Sequence, residues 1–596
     1  MAEHHLDGRQ PLCSCAARPV THTLRMIVRL SALVFLLTAF APSLGYAGEP
    51  DGKLDGPLRA RAAQLEGFSR VIIRTLPGVS AAAAIASVAA RHGRHLPALN
   101  AQVALVSNAA LSSLASRADV VSVTLDRRVQ GTLQRTSAAI GSIWVREELG
   151  LDGSGVGVAI IDSGIADWHD DLASDRVVHF ADFITHLPQP HDDYGHGTHV
   201  AGIIAGSGYD SGGARRGVAP GAHLVVLKVL DAAGDGFISN VIAAIDYAVE
   251  NRARFNIRVL NLSVAAGVYE SYMTDAFTLA AKRAVDAGIV VVTSAGNLGR
   301  SENGQVQRGG ITAPGNAPWV LTVGATNHHR TANRADDTLA PFSSRGPTHI
   351  DRAIKPDVVA PGVGIESLAV AGSTIYNLYP TARLSGTLDT ATLPYLSMTG
   401  TSMAAPVVSG AIALMLQANP DLTPNLVKGI LQYTAERRPR IELTAQGAGF
   451  LNARGAVQLA MALTEDATRT RVDDPSPWSR HILWGNQRRG GVLSAAANAW
   501  RPDVVWGAET TSDGAVISWG TTADGRAWQV GGSLESLELD VVDVAVWHEG
   551  EPTDENRWEG ASTFASSRMR LSAAIMPDRR RRTRSVFDAN NARRMS

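Results

Sequence analysis

Residues 156–161 of this chain read Val-Gly-Val-Ala-Ile-Ile and end at Asp162. A strand with one wet face alternates apolar and polar side chains. This run carries no polar side chain, so it predicts a strand buried on both faces, as in parallel sheets covered by helices. Similar runs return at 224–229, 259–262, 289–293 and 320–323, with helical patterns at 197–205, 238–251 and 274–287. The alternation predicts an α/β fold: a doubly wound, mainly parallel sheet whose functional residues lie beyond the carboxyl ends of its strands.

At 596 residues the chain exceeds what one compact core usually organises, so several domains are expected. A formal net charge of −1 gives no electrostatic claim on nucleic acid or anionic membrane. Residues 26–47 have the layout of an export signal. Arg25 and Arg29 supply positive charge ahead of an apolar run at 30–40, and Gly45-Tyr46-Ala47 offers a cleavage point after Ala47. That run is too short for an ordinary bilayer-spanning helix, so a secreted product without a stable membrane span is expected. Translation starts at Met1 or at Met26. Both cysteines, Cys13 and Cys15, precede the signal, so the exported chain would hold no thiol.

Four segments follow from these patterns: a leader and signal peptide at 1–47, a small α+β domain at 48–131, the α/β domain at 132–463 and an extension at 464–596. In the small domain, 71–73, 103–106 and 120–125 read as strands, and 81–92 and 109–118 as helices. In the extension the composition shifts, with eight of the chain's eleven tryptophans beyond residue 470. Leu483-Trp484-Gly485, Val505-Trp506-Gly507 and Ser518-Trp519-Gly520 form a degenerate Trp-Gly repeat. It reads as a small β module or a partly disordered tail; exposed rings that bind a glycan or polymer are the alternative. Arg579-Arg580-Arg581-Arg582 reads as a solvated tail or a processing site.

Four short stretches carry the chemistry. Asp162 ends the first buried strand, where hydrogen bonds are pre-set and water is scarce. His196 stands between Gly195 and Gly197 at a helix start. Asn297 follows a strand end at Ser294-Ala295-Gly296. Ser402, in Met398-Thr399-Gly400-Thr401-Ser402-Met403-Ala404, lies where a glycine-containing loop becomes a helix, and unpaired N–H groups there favour negative charge. Each alone is also an ordinary cap or turn. His199, one turn along and followed by Val200, reads as a buried structural histidine. A zinc pair with His196 is the alternative, against which no Glu separates the two and the spacing is three rather than four. Gly153-Ser154-Gly155-Val156-Gly157 precedes its strand, so it cannot open a helix onto a dinucleotide.

Asp162, His196, Asn297 and Ser402, in this order, resemble the subtilisin-like serine protease (subtilase) family. The resemblance covers 151–457 and includes Gly217-Val218-Ala219-Pro220-Gly221-Ala222, Leu227-Lys228-Val229-Leu230, Phe342-Ser343-Ser344-Arg345-Gly346-Pro347 and Lys355-Pro356-Asp357-Val358-Val359-Ala360-Pro361-Gly362. It implies a secreted serine endopeptidase with Ser402 as nucleophile, His196 as general base and Asp162 orienting the imidazole. Asn297 and the Ser402 N–H would form the oxyanion hole, in the roles known from subtilisin. A neutral imidazole must act as base, so activity should rise with pH through about 6.5–7.

The resemblance also implies an extended protein or peptide substrate between two edges, Ser263-Val264-Ala265-Ala266-Gly267 and Ser294-Ala295-Gly296. Alanines stand in the first edge where the family usually has glycines, and neither edge carries an acidic residue, which favours apolar side chains. The 48–131 domain resembles the family's inhibitory propeptide, with self-cleavage expected within 127–137. No cofactor is required. Asp171 matches a calcium-ligating position, but Gly208-Tyr209-Asp210-Ser211-Gly212-Gly213 supplies few of the oxygens that calcium takes. A structural calcium is therefore not supported, and Asp171 is expected to be a surface carboxylate. A catalytically silent binding scaffold and a peptide ligase or cyclase are the alternatives on this fold.

Overall fold

The computed structural model describes residues 50–64, 66–96, 100–125, 132–172, 176–301, 303–464, 477–521, 526–529 and 557–559. The export signal, both cysteines, Arg579–Arg582 and residues 127–131 of the expected cleavage stretch lie outside the described residues. The chain divides into two units, Met1–Val129 and Gln130–Ser596.

In the first unit, β1 (Phe68–Thr75), β2 (Arg91–Leu96), β3 (Ala101–Ser107) and β4 (Val120–Leu125) form an antiparallel sheet in the order β2-β3-β1-β4. Helices α1 (Gly56–Gln64), α2 (Ala82–Ser87) and α3 (Leu111–Ala115) accompany it. Burial alternates along β1, and Val71 and Ile73 join Leu58, Ile85, Leu111 and Leu114 in the core. The helix expected over 81–92 ends at Ser87, and β2 follows it as a fourth strand. Its sequence, Arg-His-Gly-Arg-His-Leu, has no apolar alternation because it sits at the sheet edge and its side chains largely meet solvent.

The second unit opens with a helix at Thr132–Ala139, followed by α4 (Ser142–Leu149), β5 (Gly157–Asp162), β6 (Val177–Asp182), α5 (His196–Ala205), β7 (His223–Lys228) and the short β8 (Asp235–Phe237). Next come α6 (Ile238–Glu250), β9 (Ile257–Leu262), α7 (Ala276–Asp286), β10 (Val290–Ser294), β11 (Leu321–Asn327), β12 (Thr338–Leu339) and β13 (Val358–Pro361). The main sheet runs β12-β11-β10-β9-β5-β7-β6, with β13 also on β11, and every pair but β11–β12 is parallel. This is the doubly wound arrangement expected from the apolar runs. The edge strand β6, half exposed, has no such run and escapes a reading based on them.

Both faces of the sheet are covered. Val158 and Ile160 point into one apolar layer with Val200 and Ile203 of α5, whereas Ala159 and Ile161 point into another with Val241 and Ile245 of α6 and Phe277 of α7. The chain leaves β5 towards β6 and β7 on one side and later builds β9, β10 and β11 on the other. The carboxyl end of β5 is thus a switch point, where a crevice opens between diverging connections. Against the first face lies α8 (Thr401–Ala418), apolar enough to cross a membrane by composition but 89% buried inside the fold, as a core helix is.

The tryptophans of the extension are not displayed. Trp484, Trp500, Trp506 and Trp519 are all buried in the same core cluster as α8 and the following helix α9 (Pro424–Thr434). Trp484 is the hub: its ring lies 4.6 Å from Trp506, 5.4 Å from Trp519 and 6.5 Å from Trp500. The Trp-Gly pairing has a steric reason. Gly485 and Gly507 adopt φ of 59° and 94° and face each other so closely that a Cβ on Gly507 would stand 3.1 Å from the Gly485 Cα. Polar bonds complete the docking, with Asn425 of α9 donating to the carbonyls of Ala499 and Val504 and Gln432 accepting from Leu483 N. A glycan-binding display of these four rings is therefore excluded by their burial. Trp484→Ala in a Ser402→Ala background should lower the unfolding free energy by about 3–5 kcal/mol, read from denaturant midpoints.

Candidate active site

The crevice at the end of β5 gathers the chemistry. Asp162, the last residue of β5, is fully buried, and its Oδ1 accepts from Ser163 N and from His196 Nδ1, both at 2.7 Å. His196 begins α5 and is likewise fully buried. With Nδ1 bound to the carboxylate, its Nε2 is left as a buried nitrogen without a hydrogen-bond partner. The two loops meet closely: a Cβ on Gly197 would lie 2.3 Å from the Gly164 carbonyl, so only glycine admits this approach.

Asp192 sets the entry into α5. One carboxylate oxygen accepts from Gly195 N at 2.7 Å and Ser163 Oγ at 2.8 Å, and the other from Thr198 N at 2.8 Å and Oγ1 at 2.7 Å. A single buried side chain thus satisfies two N–H groups at the helix start and ties it to the residue after Asp162. Lys228, at the end of β7, is 1% exposed and donates to the carbonyls of Ser163 and Leu230 and to Asp193. The sequence reading gave Asp192 and Lys228 no role. The available signal was an Asp three residues ahead of the glycine that opens a helix, a usual place for a cap.

Ser402 is the second residue of α8 and is 2% exposed. Gly400 has φ of 165°, extended backbone that any residue adopts, so the loop does not need glycine there for its φ. Helix α8 packs along α5 and across β9, β10 and β11. A buried polar string fixes its first turns: Ser263 Oγ donates to the Ser402 carbonyl at 2.9 Å, Asn261 Nδ2 donates to Ser263 Oγ, and Ser409 Oγ donates to Asn261 Oδ1. Among the described residues, neither Ser402 Oγ nor His196 Nε2 makes a hydrogen bond. Catalytic hydrogen bonds are often completed only when substrate is bound.

Asn297 follows β10, and its Oδ1 accepts from Thr401 N at 3.0 Å and Thr401 Oγ1 at 3.1 Å. That network assigns the amide so that the NH₂ is left to donate elsewhere. Phe342–Pro347 holds this loop, since Ser344 Oγ accepts from Leu298 N at 3.0 Å and the Phe342 carbonyl from Gly299 N at 2.8 Å.

The two expected substrate edges differ. The backbone groups of Ser263, Val264 and Ala265 carry no hydrogen bond among the described residues, although the Ser263 and Val264 side chains are turned inward. In the second stretch Ser294 is paired within the sheet. Ala295 N donates to Val323, the Ala295 carbonyl accepts from Thr312 N, Gly296 N donates to Thr401 Oγ1, and the Gly296 carbonyl accepts from Ser344 N. Ser294, Ala295 and Gly296 can wall a site but cannot add a strand, which corrects that expectation.

His199 is fully buried as expected, with Nε2 3.1 Å from the Leu396 carbonyl; burial first, then the nearby His196, pushes its pKa down to about 3. Asp171 is not a surface carboxylate. It is fully buried and accepts from Gly208 N, Asp210 N and Tyr395 Oη. His169, Asp171 and Asp210 bring one ligand atom each within 4.8 Å of one another. Donors already point at the Asp171 oxygens, and three side chains that include an imidazole fall short of calcium's six to eight oxygens. The residues present do not fit that ion.

The model of the subtilase family matches residues 153–454, just over half of the chain. The chain is 38% identical over 366 residues to serine protease AprX of Bacillus subtilis (strain 168), covering 60% of this chain and 79% of that protein. It is 34% identical over 309 residues to subtilisin Savinase of Lederbergia lenta, covering 52% of this chain and 93% of that protein. A cold adapted subtilisin-like serine proteinase of known structure aligns with a TM-score of 0.37 at 29% identity, over 51% of this chain and 88% of that one. With the family's motifs set at the switch point of a doubly wound sheet, this chain belongs to the subtilase family of serine endopeptidases.

Proposed function

We propose that the protein is a secreted endopeptidase that cleaves peptide bonds through an acyl-enzyme on Ser402 and is made as a self-processed zymogen. One observation carries this reading: His196 is bound through Nδ1 to a buried Asp162 while its Nε2 stays free, beside the helix that presents Ser402. In the proposed reaction, Ser402 Oγ attacks the carbonyl carbon and its proton passes to His196 Nε2. Asp162 holds the tautomer that leaves Nε2 unprotonated and stabilises the imidazolium. The developing oxyanion is met by the Ser402 N–H, near the N-terminus of α8, and by Asn297 Nδ2. His196 then returns the proton to the leaving amine, and water repeats the sequence to free the acid. The unpaired backbone of Ser263–Ala265 is suited to pair with an extended substrate.

A fluorophosphonate probe should label the processed protein at Ser402, and Ser402→Ala should abolish labelling and hydrolysis together. Labelling that survives in the variant would remove the nucleophile assignment. Asn297→Ala should keep labelling but lower kcat by about 10²–10³, the loss known for the corresponding donor in subtilisin itself. An unchanged kcat would take Asn297 out of the oxyanion hole.

The leader at 1–47 supports export, and the division of the chain at Val129 supports a propeptide that ends near 127–137. In this reading the N-terminal unit inhibits the enzyme until it is cut away. Full-length Ser402→Ala expressed without other proteases should remain unprocessed; a normally trimmed product would mean that another enzyme makes the cut. The loop at 208–213 is held by Asp171, which accepts from Gly208 N and Asp210 N, and Tyr395 Oη donates to the same carboxylate. Three donors thus already point at the Asp171 oxygens, and burial, then the neighbouring Asp171, pushes the Asp210 carboxyl up, so neither carboxylate is set to ligate a cation. A chelator should therefore leave the thermal midpoint unchanged, and a fall reversed by added calcium would contradict this.

A further inference from the structure

The amino end of β5, remote from Asp162, borders a second feature. The loop entering β5, the turn before β6, the connection leaving α5 and the turn before β7 surround a cleft of about 580 Å³. Three guanidinium groups line it, from Arg146, Arg176 and Arg216, against one carboxylate, Asp152.

These charges are not paired with each other. Arg146 spends its Nη1 on the Gly217 and Val218 carbonyls and on Ser142 Oγ, and Arg216 donates Nε to the Ser207 carbonyl. Asp152 Oδ1 accepts from Ser154 N at 3.0 Å and Ser154 Oγ at 2.6 Å. No ion pair joins Asp152 to any of the three arginines among the described residues. The Arg176 guanidinium makes no hydrogen bond among the described residues, and its Nε is a buried donor with no partner. A buried, unpaired donor on a cation is costly unless something accepts from it. Burial, with the charge of Arg216 adding to it, lowers Arg146 to about 10, so it stays charged at neutral pH.

We propose that this cleft binds a small oxyanion of the phosphate class. Guanidinium forks match tetrahedral oxyanions, whose several oxygens can accept from more than one arginine at once, and the excess of two positive charges matches a dianion. Ser154 and Ser207 line the same walls. The Asp152 carboxylate, engaged by Ser154, limits the site to ligands that approach from the arginine side. The strand between this cleft and Asp162 is six residues long, roughly 20 Å at about 3.3 Å per residue. Binding therefore acts on the stability of the catalytic unit, by tying together connections that enter β5, β6 and β7, and not on the bond-making step.

The test uses full-length Ser402→Ala titrated calorimetrically with sodium phosphate, with sodium chloride holding ionic strength constant, beside thermal midpoints in the same buffers. Saturable one-to-one binding and a matching rise in midpoint are expected. Arg176→Gln and Arg216→Gln should each weaken binding roughly tenfold or more, while the midpoint in chloride alone stays at the parent value. Arg176→Lys, which keeps the charge and loses the fork, should fall between. In the active enzyme, Arg176→Gln should leave kcat/KM unchanged. Heat that does not saturate, or a phosphate-induced rise that is equal in the Arg176→Gln/Arg216→Gln double variant, would reduce the effect to general salt exclusion and overturn the proposal.

Discussion

The bond between Asp162 Oδ1 and His196 Nδ1 is made where neither side chain touches water. In such surroundings a charge–dipole contact is strong, and stripping one partner from a buried charged pair typically costs about 3–5 kcal/mol. The bond holds only if two elements of different origin arrive together, the end of β5 and the start of α5. Asp162 is fixed from the other side as well, because its carbonyl accepts from Val229 N and Leu230 N beyond β7. A slip of one residue in β5 would turn the carboxylate away and send Ala159 and Ile161 to the wrong apolar layer. Packing on both faces of the strand therefore enforces the geometry of the polar pair.

The remaining polar groups of the crevice follow from this demand. A helix start buried beside a carboxylate leaves N–H groups with no access to water, and Asp192 answers them while gripping Ser163. Ser163 is in turn held through its carbonyl by Lys228, whose amine also reaches Asp193. Cation and anions are distributed so that each buried charge has its own hydrogen bonds. A preorganised site of this kind does not have to reorient dipoles as charge develops. On the opposite wall, α8 is anchored by neutral groups, Asn261, Ser263 and Ser409, which bind without adding charge near the serine.

Local signals made much of this legible. The five apolar runs announced β5, β7, β9, β10 and β11 because strands buried on both faces have little freedom in composition. Asp162, His196, Asn297 and Ser402 each read alone as an ordinary cap or turn; their order and the flanking motifs, which resemble those of the subtilase family, marked them out together. What stayed hidden depends on partners distant in sequence. Asp171 reads as a surface residue until Tyr395 and the 208–210 amides are known to close over it. Strands β2 and β6 are edges, so half of their side chains say nothing about a sheet. The backbone commitments of Ala295 and Gly296 are invisible in composition, since what consumes them is the arrangement of β11, α8 and Ser344.

The tryptophan-rich segment shows the same dependence in the opposite sense. Its Trp-Gly repeat reads as a small β module or a partly disordered tail, with exposed glycan-binding rings as the alternative, because the partners that bury the rings are distant in sequence. Helix α9 gives the reason for their burial. Lys428 of that helix is fully buried with Asp357 at 2.9 Å and Lys355 alongside, two ammonium groups for one carboxylate. Burial, the largest influence, pushes the Lys428 amine down to about 7 against the pull of Asp357. An ammonium so placed needs every available acceptor: the carbonyls of Pro318 and Val320 take its protons, and the face of Trp506 lies 4.7 Å from its nitrogen. Asn425 and Gln432, on the same helix, find their partners in the same segment. Residues 477–521 thus complete the solvation of charged and polar groups that belong to α9, and the polar face of that helix has the composition it has because this segment covers it.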